Sequence, residues 1–172
     1  MRSFKLLLIG EHDVGKEGFL FRYIKEAYVP NPRLRIGVDF YWKKIRLKDS
    51  GQTVKLKIWD FAGEKRFRFL LPTYSKNADA CFFVFDLTRK ETLESIDEWL
   101  RVVYENAGEI PVILVGTKPN FDDQPEILDK EILRVVEEKG LHLYFDSCAN
   151  SSQNIMASFE LITELITATQ DL

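Results

Sequence analysis

Gly10-Glu11-His12-Asp13-Val14-Gly15-Lys16-Glu17 is the stretch whose reading decides the fold. The apolar run Phe4-Lys5-Leu6-Leu7-Leu8-Ile9 leads into it and reads as a buried strand. Gly18-Phe19-Leu20-Phe21-Arg22-Tyr23-Ile24 leads out and reads as a helix. Strand, G-x-x-x-x-G-K, helix is the order of a phosphate-cradling loop. Its glycines let backbone N–H groups close around an anion, at a helix N-terminus that already favours negative charge. Lys16 is placed to reach outer phosphates. The motif continues with Ser or Thr, whose hydroxyl holds Mg²⁺, but this chain has Glu17.

Outward from that loop, the chain reads as one domain over residues 1–172, long enough for a substantial core. Hydrophobic residues make up 45% and charged residues 30%, proportions of an ordinary water-soluble globule. A net charge of −3 gives no global argument for nucleic acid or a membrane surface, and no nucleic-acid partner is expected. Cys81 and Cys148 form neither a disulfide framework nor a zinc spacing, so a cytoplasmic setting is expected. No signal peptide or membrane-spanning run is read, and no lipidation cysteine stands at the end, so no direct membrane anchor is expected in this chain.

Tyr28-Val29-Pro30-Asn31-Pro32-Arg33-Leu34-Arg35 reads as an exposed loop because its prolines disfavour helix. Ile36 to Lys48 and Thr53 to Asp60 read as strands joined by hairpin chemistry at Asp49-Ser50-Gly51-Gln52. Val54, Leu56 and Ile58 alternate with Lys55 and Lys57, which predicts one buried and one wet face. Lys43, Lys44, Arg46, Lys48, Lys55 and Lys57 read as a solvated sheet face, with an acidic partner or lipid headgroup as the alternative. Lys65 to Lys76 reads as mixed loop and helix whose Phe67, Phe69, Leu70, Leu71 and Tyr74 suggest both core and a partner surface. Further strands are read at Ala80–Phe85, Pro111–Val115 and Leu141–Phe145, and helices at Thr92–Asn106, Asp129–Lys139 and Asn154–Thr167.

Alternating strands and helices predict a doubly wound α/β fold, a mostly parallel six-stranded sheet with one antiparallel edge strand. Ligands of such sheets sit outside the C-terminal strand ends. The phosphate loop, the Asp60 loop, the Thr117 loop and the Cys148 loop all fall there.

With those loops in place, the whole chain resembles the small GTPases of the Ras superfamily, in its Rab branch. Ile36-Gly37-Val38-Asp39-Phe40 is similar to the Rab strand after the first switch. Lys55-Leu56-Lys57-Ile58-Trp59-Asp60 and Arg66-Phe67-Arg68 are similar to its second-switch signature. The resemblance implies a Ras-like P-loop domain that binds GTP or GDP, uses Mg²⁺ and works as a monomeric molecular switch. It implies Gly10, Gly15 and Lys16 as the phosphate cradle, with Val14 between them. Asp60 belongs to the metal shell and Gly63 senses the γ-phosphate. Tyr28 covers the guanine. Thr117 and Lys118 hold the base from one side, and Cys148, Ala149 and Asn150 from the other, the Ala149 N–H reading the guanine oxygen. Phe40, Trp59 and Tyr74, with Phe67, are implied as an effector-binding surface. Trafficking partners would bring such a protein to membranes.

Departures fall on the chemistry. Glu17 replaces the Mg²⁺-binding hydroxyl residue, and Arg35 the first-switch threonine. No Ser or Thr lies between Tyr28 and Lys48 to substitute for it. Glu64 replaces the glutamine that orients the attacking water. Asn120 replaces an aspartate that accepts two hydrogen bonds from guanine. Asp13 puts a carboxylate inside the phosphate loop. A carboxylate about 4 Å from a phosphate charge, at an effective dielectric of about 20, costs on the order of 4 kcal/mol. Two arrangements stay open: Glu17 and Arg35 pair across the metal position, or Glu17 ligates Mg²⁺ together with Asp60. Catalysis, if present, would involve Glu64, Lys16 and Gly63. The functional readings are a nucleotide-dependent switch with weak or absent hydrolysis, and a pseudo-GTPase interaction module that binds no nucleotide.

Overall fold

The computed structural model of the chain describes residues 1–24, 37–120, 122–147 and 152–170. In order it holds β1 (Ser3–Ile9), α1 (Lys16–Ile24), β2 (Val38–Arg46), β3 (Thr53–Phe61), a 3₁₀ turn (Lys65–Leu70), α2 (Leu71–Ser75) and β4 (Ala80–Asp86). There follow α3 (Lys90–Glu94), α4 (Ile96–Ala107), β5 (Val112–Thr117), α5 (Asp129–Glu138), β6 (Leu143–Asp146) and α6 (Ser152–Gln170).

One six-stranded sheet carries the order β2-β3-β1-β4-β5-β6. β1 runs parallel to β3 and β4, β4 to β5, and β5 to β6, while β2 is antiparallel to β3. The five parallel strands therefore end at a common edge. The β2–β3 hairpin closes with Leu47 N–H donating to Gln52 O at 2.8 Å and Gly51 at φ +64°. The expected six-stranded, mostly parallel sheet with one antiparallel edge strand is the observed one.

The period-2 geometry of the central strands sorts the core into two layers. Leu6 and Leu8 of β1 and Phe82 and Val84 of β4 join Phe19 and Tyr23 of α1 and Phe159 and Ile162 of α6. Leu7, Ile9, Cys81, Phe83 and Phe85 point the other way, toward Trp99 and Val103 of α4 and Ile132 of α5. Both faces of β1 and β4 are thus buried, which explains their near-continuous apolar sequences.

Several boundaries differ from the periodicity, three of them with a visible local cause. The helix expected over Thr92–Asn106 is two helices meeting at Ser95, where ψ is −7°. The Ser95 hydroxyl donates back to Thr92 O at 2.9 Å, a local bond that competes with helix continuation. β6 starts two residues later than the apolar run, at Leu143, after Leu141 and His142 turn back with N–H bonds to Val136 O and Val112 O. α6 extends through Gln170, its later turns accepting Thr167 and Thr169 hydroxyls. The basic stretch also divides. Lys43 lies on the inner face of β2 and donates to Tyr23 O at 2.7 Å, and Lys48 pairs with Glu160 at 2.5 Å. Strand parity, invisible to a count of lysines, turns Lys43 away from the open sheet face, whereas Lys48 follows β2 and is drawn to Glu160 while staying exposed.

Candidate functional site

At the end of β1 the chain turns sharply under β4. Gly10 has φ +151°, and a Cβ there would lie 2.1 Å from Val84 O, so only glycine passes. Asp13 takes φ +60°, an uncommon conformation for a residue with a side chain. Lys16 is buried at the start of α1, and its Nζ donates to Gly10 O at 3.0 Å and Glu11 O at 2.9 Å. Thr117, at the end of β5, locks the loop from beneath: its hydroxyl donates to Val14 O at 2.5 Å and lies 3.1 Å from Phe85 O.

The loop after β3 closes on the phosphate loop from the other side. Asp60 is buried at the strand end. Gly63 sits so close to the phosphate loop that a Cβ would lie 2.2 Å from Glu11 C and His12 N. Between these loops lies a cleft of about 440 Å³, lined among others by Asp13, Lys16, Glu17, Asp60, Gly63 and Glu64. The structure brings those six expected residues together. It also puts Asp13, Glu17 and Glu64 around one cavity. The Glu64 carboxylate is held by Arg66 Nε at 2.6 Å, with His12 Nδ1 at 4.0 Å.

Residues expected at a base pocket are more dispersed. Lys118 and Asp146 line a second cavity of about 170 Å³. Asn120 is exposed, and its side-chain amide and backbone N–H both donate to Asp123 Oδ2, at 3.2 and 3.1 Å. Tyr28, Arg35, Cys148, Ala149 and Asn150 lie outside the described residues, and so does the Glu17–Arg35 pair. Among the described residues no cluster of three or more His, Cys, Asp or Glu could hold a metal ion. Asp60 and Glu17 are hard oxygen donors lining the same cleft, a chemistry that suits Mg²⁺.

A Ras family model matches residues 5–168. The chain belongs to the Ras family. Within it the chain is Rab-like. It is 34% identical over 164 residues to the Ras-related protein RABA5a of Arabidopsis thaliana, covering 95% of this chain and 73% of that protein. It is 30% identical to the Ras-related protein Rab-2B of Dictyostelium discoideum, over 95% of this chain and 80% of that one. With the Ras-related protein Rab-10 of Diplobatis ommata the identity is 34%, over 94% of this chain and 80% of that protein.

Two contacts of this Rab-like chain escaped the sequence reading. Glu11, inside the phosphate loop, is gripped by Arg68 of the 3₁₀ turn and by Trp99 Nε1 of α4 at 3.1 Å. Arg68 stacks over the Trp99 ring at 4.2 Å and pairs with Glu98 at 3.0 Å. Burial opposes charge on Glu11, but the Trp99 N–H and the Arg68 guanidinium outweigh it and hold the carboxyl below the usual carboxylate range. The second contact is Arg89, which is held by Asp86 at 3.0 Å and donates to Asp13 O at 2.8 Å. Separations of 57, 88 and 76 residues left no local signal for these contacts.

Phe40, Trp59 and Tyr74 do converge. The Phe40 and Trp59 centroids are 4.6 Å apart, edge to face, and Tyr74 lies 5.2 Å from Trp59 and 6.1 Å from Phe40. Phe40 is 47% exposed, so this cluster is open to solvent. Phe67 is half-buried at the cleft, and Phe69 is exposed on the 3₁₀ turn. Among the described residues no helix is long and apolar enough to cross a membrane.

Proposed function

We propose that residues 1–172 form one Rab-like domain that binds a guanine nucleotide, GTP or GDP, and acts as a nucleotide-dependent switch with an altered metal site and slow or absent hydrolysis. The observation that carries this reading is the cleft between the phosphate loop and the Asp60–Glu64 loop, at the N-terminus of α1, with Lys16 in its wall. Gly10, Val14, Gly15 and Lys16 would hold the phosphates. Thr117 and Lys118 would hold the base, with Tyr28, Cys148, Ala149 and Asn150 from the remaining loops. Mg²⁺, when bound, would neutralise phosphate charge; Asp60 and Glu17 would hold it, or Arg35 would replace it. Glu64 lines the cleft paired with Arg66, and a carboxylate lacks the amide donor of the water-orienting glutamine, which supports slow turnover. Effector proteins would read Phe40, Trp59, Phe67 and Tyr74. The domain would work as a cytoplasmic monomer, reaching membranes through partners.

A second reading is supported by the carboxylates of Asp13, Glu17 and Glu64 around the same cleft. Together they oppose a phosphate, and the domain would then be an interaction module without nucleotide. The test is nucleotide release from purified, acid-denatured protein, with and without prior EDTA. Stoichiometric GDP or GTP that survives EDTA supports Arg35 in the metal's role; nucleotide that EDTA strips points to Glu17 as a ligand. No nucleotide, with no thermal shift on adding GTP or GDP, overturns the switch in favour of the interaction module.

A further inference from the structure

The outer face of β2, β3 and the start of β1 is basic in a protein whose net charge is −3. The antiparallel register sets Trp42 opposite Lys57 and Lys44 opposite Lys55, with Arg46 beyond them. Lys5 of β1 lies beside Lys57 in the parallel register. Trp42, Lys44, Arg46 and Lys57 are exposed. No carboxylate pairs with Lys44, Arg46, Lys55 or Lys57 among the described residues. Asp79, at the margin, is engaged by the Lys5 backbone N–H at 2.7 Å and by Gln170 at 2.6 Å. α2 meets this face at Tyr74, which touches Trp59, and near Lys76, whose carbonyl accepts from Lys5 Nζ at 2.8 Å. The basic strip therefore continues directly from the exposed Phe40–Trp59–Tyr74 cluster.

Lysines cover the indole rings of this strip. Lys55 Nζ stands 4.5 Å over the Trp42 ring and Lys5 Nζ 3.8 Å over Trp59. A group that approaches either ring therefore meets an ammonium beside it, which favours an anionic partner. Lys5 and Lys55, held over the rings, with the exposed Lys44, Lys57 and Arg46 beside them, suit carboxylates presented by a folded or extended polypeptide.

We propose that this face docks an acidic protein segment, whose carboxylates lie along Lys44, Lys55, Lys57, Lys5 and Arg46 and whose apolar residue sits on Phe40. The inference deepens the partner part of the reading above and rests on it only for that apolar end. It is tested by titrating the full chain with an acidic aromatic copolymer, poly(Glu,Tyr), and following tryptophan emission, since Trp42 is exposed and Trp59 half-buried while Trp99 is enclosed. Saturable binding is expected, weakening with salt, roughly tenfold weaker in a Lys44→Glu, Lys57→Glu double variant and about threefold weaker in the milder Lys44→Gln, Lys57→Gln pair. Lys130→Glu, on exposed α5, should bind as wild type. Released nucleotide is measured on each variant in parallel, so loss of the nucleotide reading and loss of this one are separate results. Binding unchanged in both double variants, an equal loss in Lys130→Glu, or tighter binding of phosphatidylserine vesicles or poly(U) than of the copolymer would overturn the proposal.

Discussion

Glu17 and Glu11 lie in the same short segment and act in opposite ways. Glu17 is exposed at the first turn of α1 and lines the cleft. Replacing it by serine removes a charge that opposes phosphate and restores a hydroxyl. After solvent screening, Glu17→Ser is expected to tighten GDP binding by on the order of a hundredfold in the presence of Mg²⁺. Titration of a fluorescent GDP analogue measures this, and unchanged affinity would place Glu17 away from the phosphates. Glu11 instead serves the fold, tying the phosphate loop to Arg68 and Trp99. Its carboxyl titrates below the ordinary 4.5, so its contribution is present above about that pH and is lost as pH falls through the lower folded value. Thermal melts of Glu11→Gln should therefore be flatter than wild type below about pH 4.5. At neutral pH, Glu11→Ala should cost about 2 kcal/mol, roughly 4–8 °C in Tm. The residues of the cleft were legible because their motif spacing is short. Glu11 was not, since a carboxylate in a loop says nothing about an arginine far along the chain.

At the scale of elements, local pattern and local chemistry predicted most strands and helices within a few residues. The split at Ser95 and the late start of β6 were missed because both depend on individual hydrogen bonds rather than on periodicity. The partnership of α1 and α6 is tertiary. Phe159 stacks on Tyr23 at 3.6 Å and meets Phe19 at 5.3 Å and Phe82 at 4.9 Å, joining two helices and the central strand. Phe159→Ala should lose about 3–5 kcal/mol, because a site walled by three other rings collapses poorly. Urea unfolding gives the value, and a loss below about 1 kcal/mol would mean that α6 is not fixed against the sheet.

For the whole molecule, the sheet order predicts a gradient of local stability. β1, β4 and β5 are paired on both sides and buried, whereas β2 and β6 are edges. Amide exchange should be slowest in β1, β4 and β5 and faster by orders of magnitude in β6, where Leu143 and Asp146 are exposed. Exchange in β4 as fast as in β6 would contradict this layering. The sequence by itself determined the fold class, the strand that leads into the phosphate loop, and the carboxylates that stand where hydroxyls are usual. These follow from short-range spacing and from residue chemistry, which a linear string carries in full. Only the tertiary structure decided that Lys43 turns inward while Lys5 joins Lys44 and Lys57. It alone placed Arg68 and Trp99 on Glu11. Those outcomes depend on strand order, register and parity, which bring together charges distant in the chain.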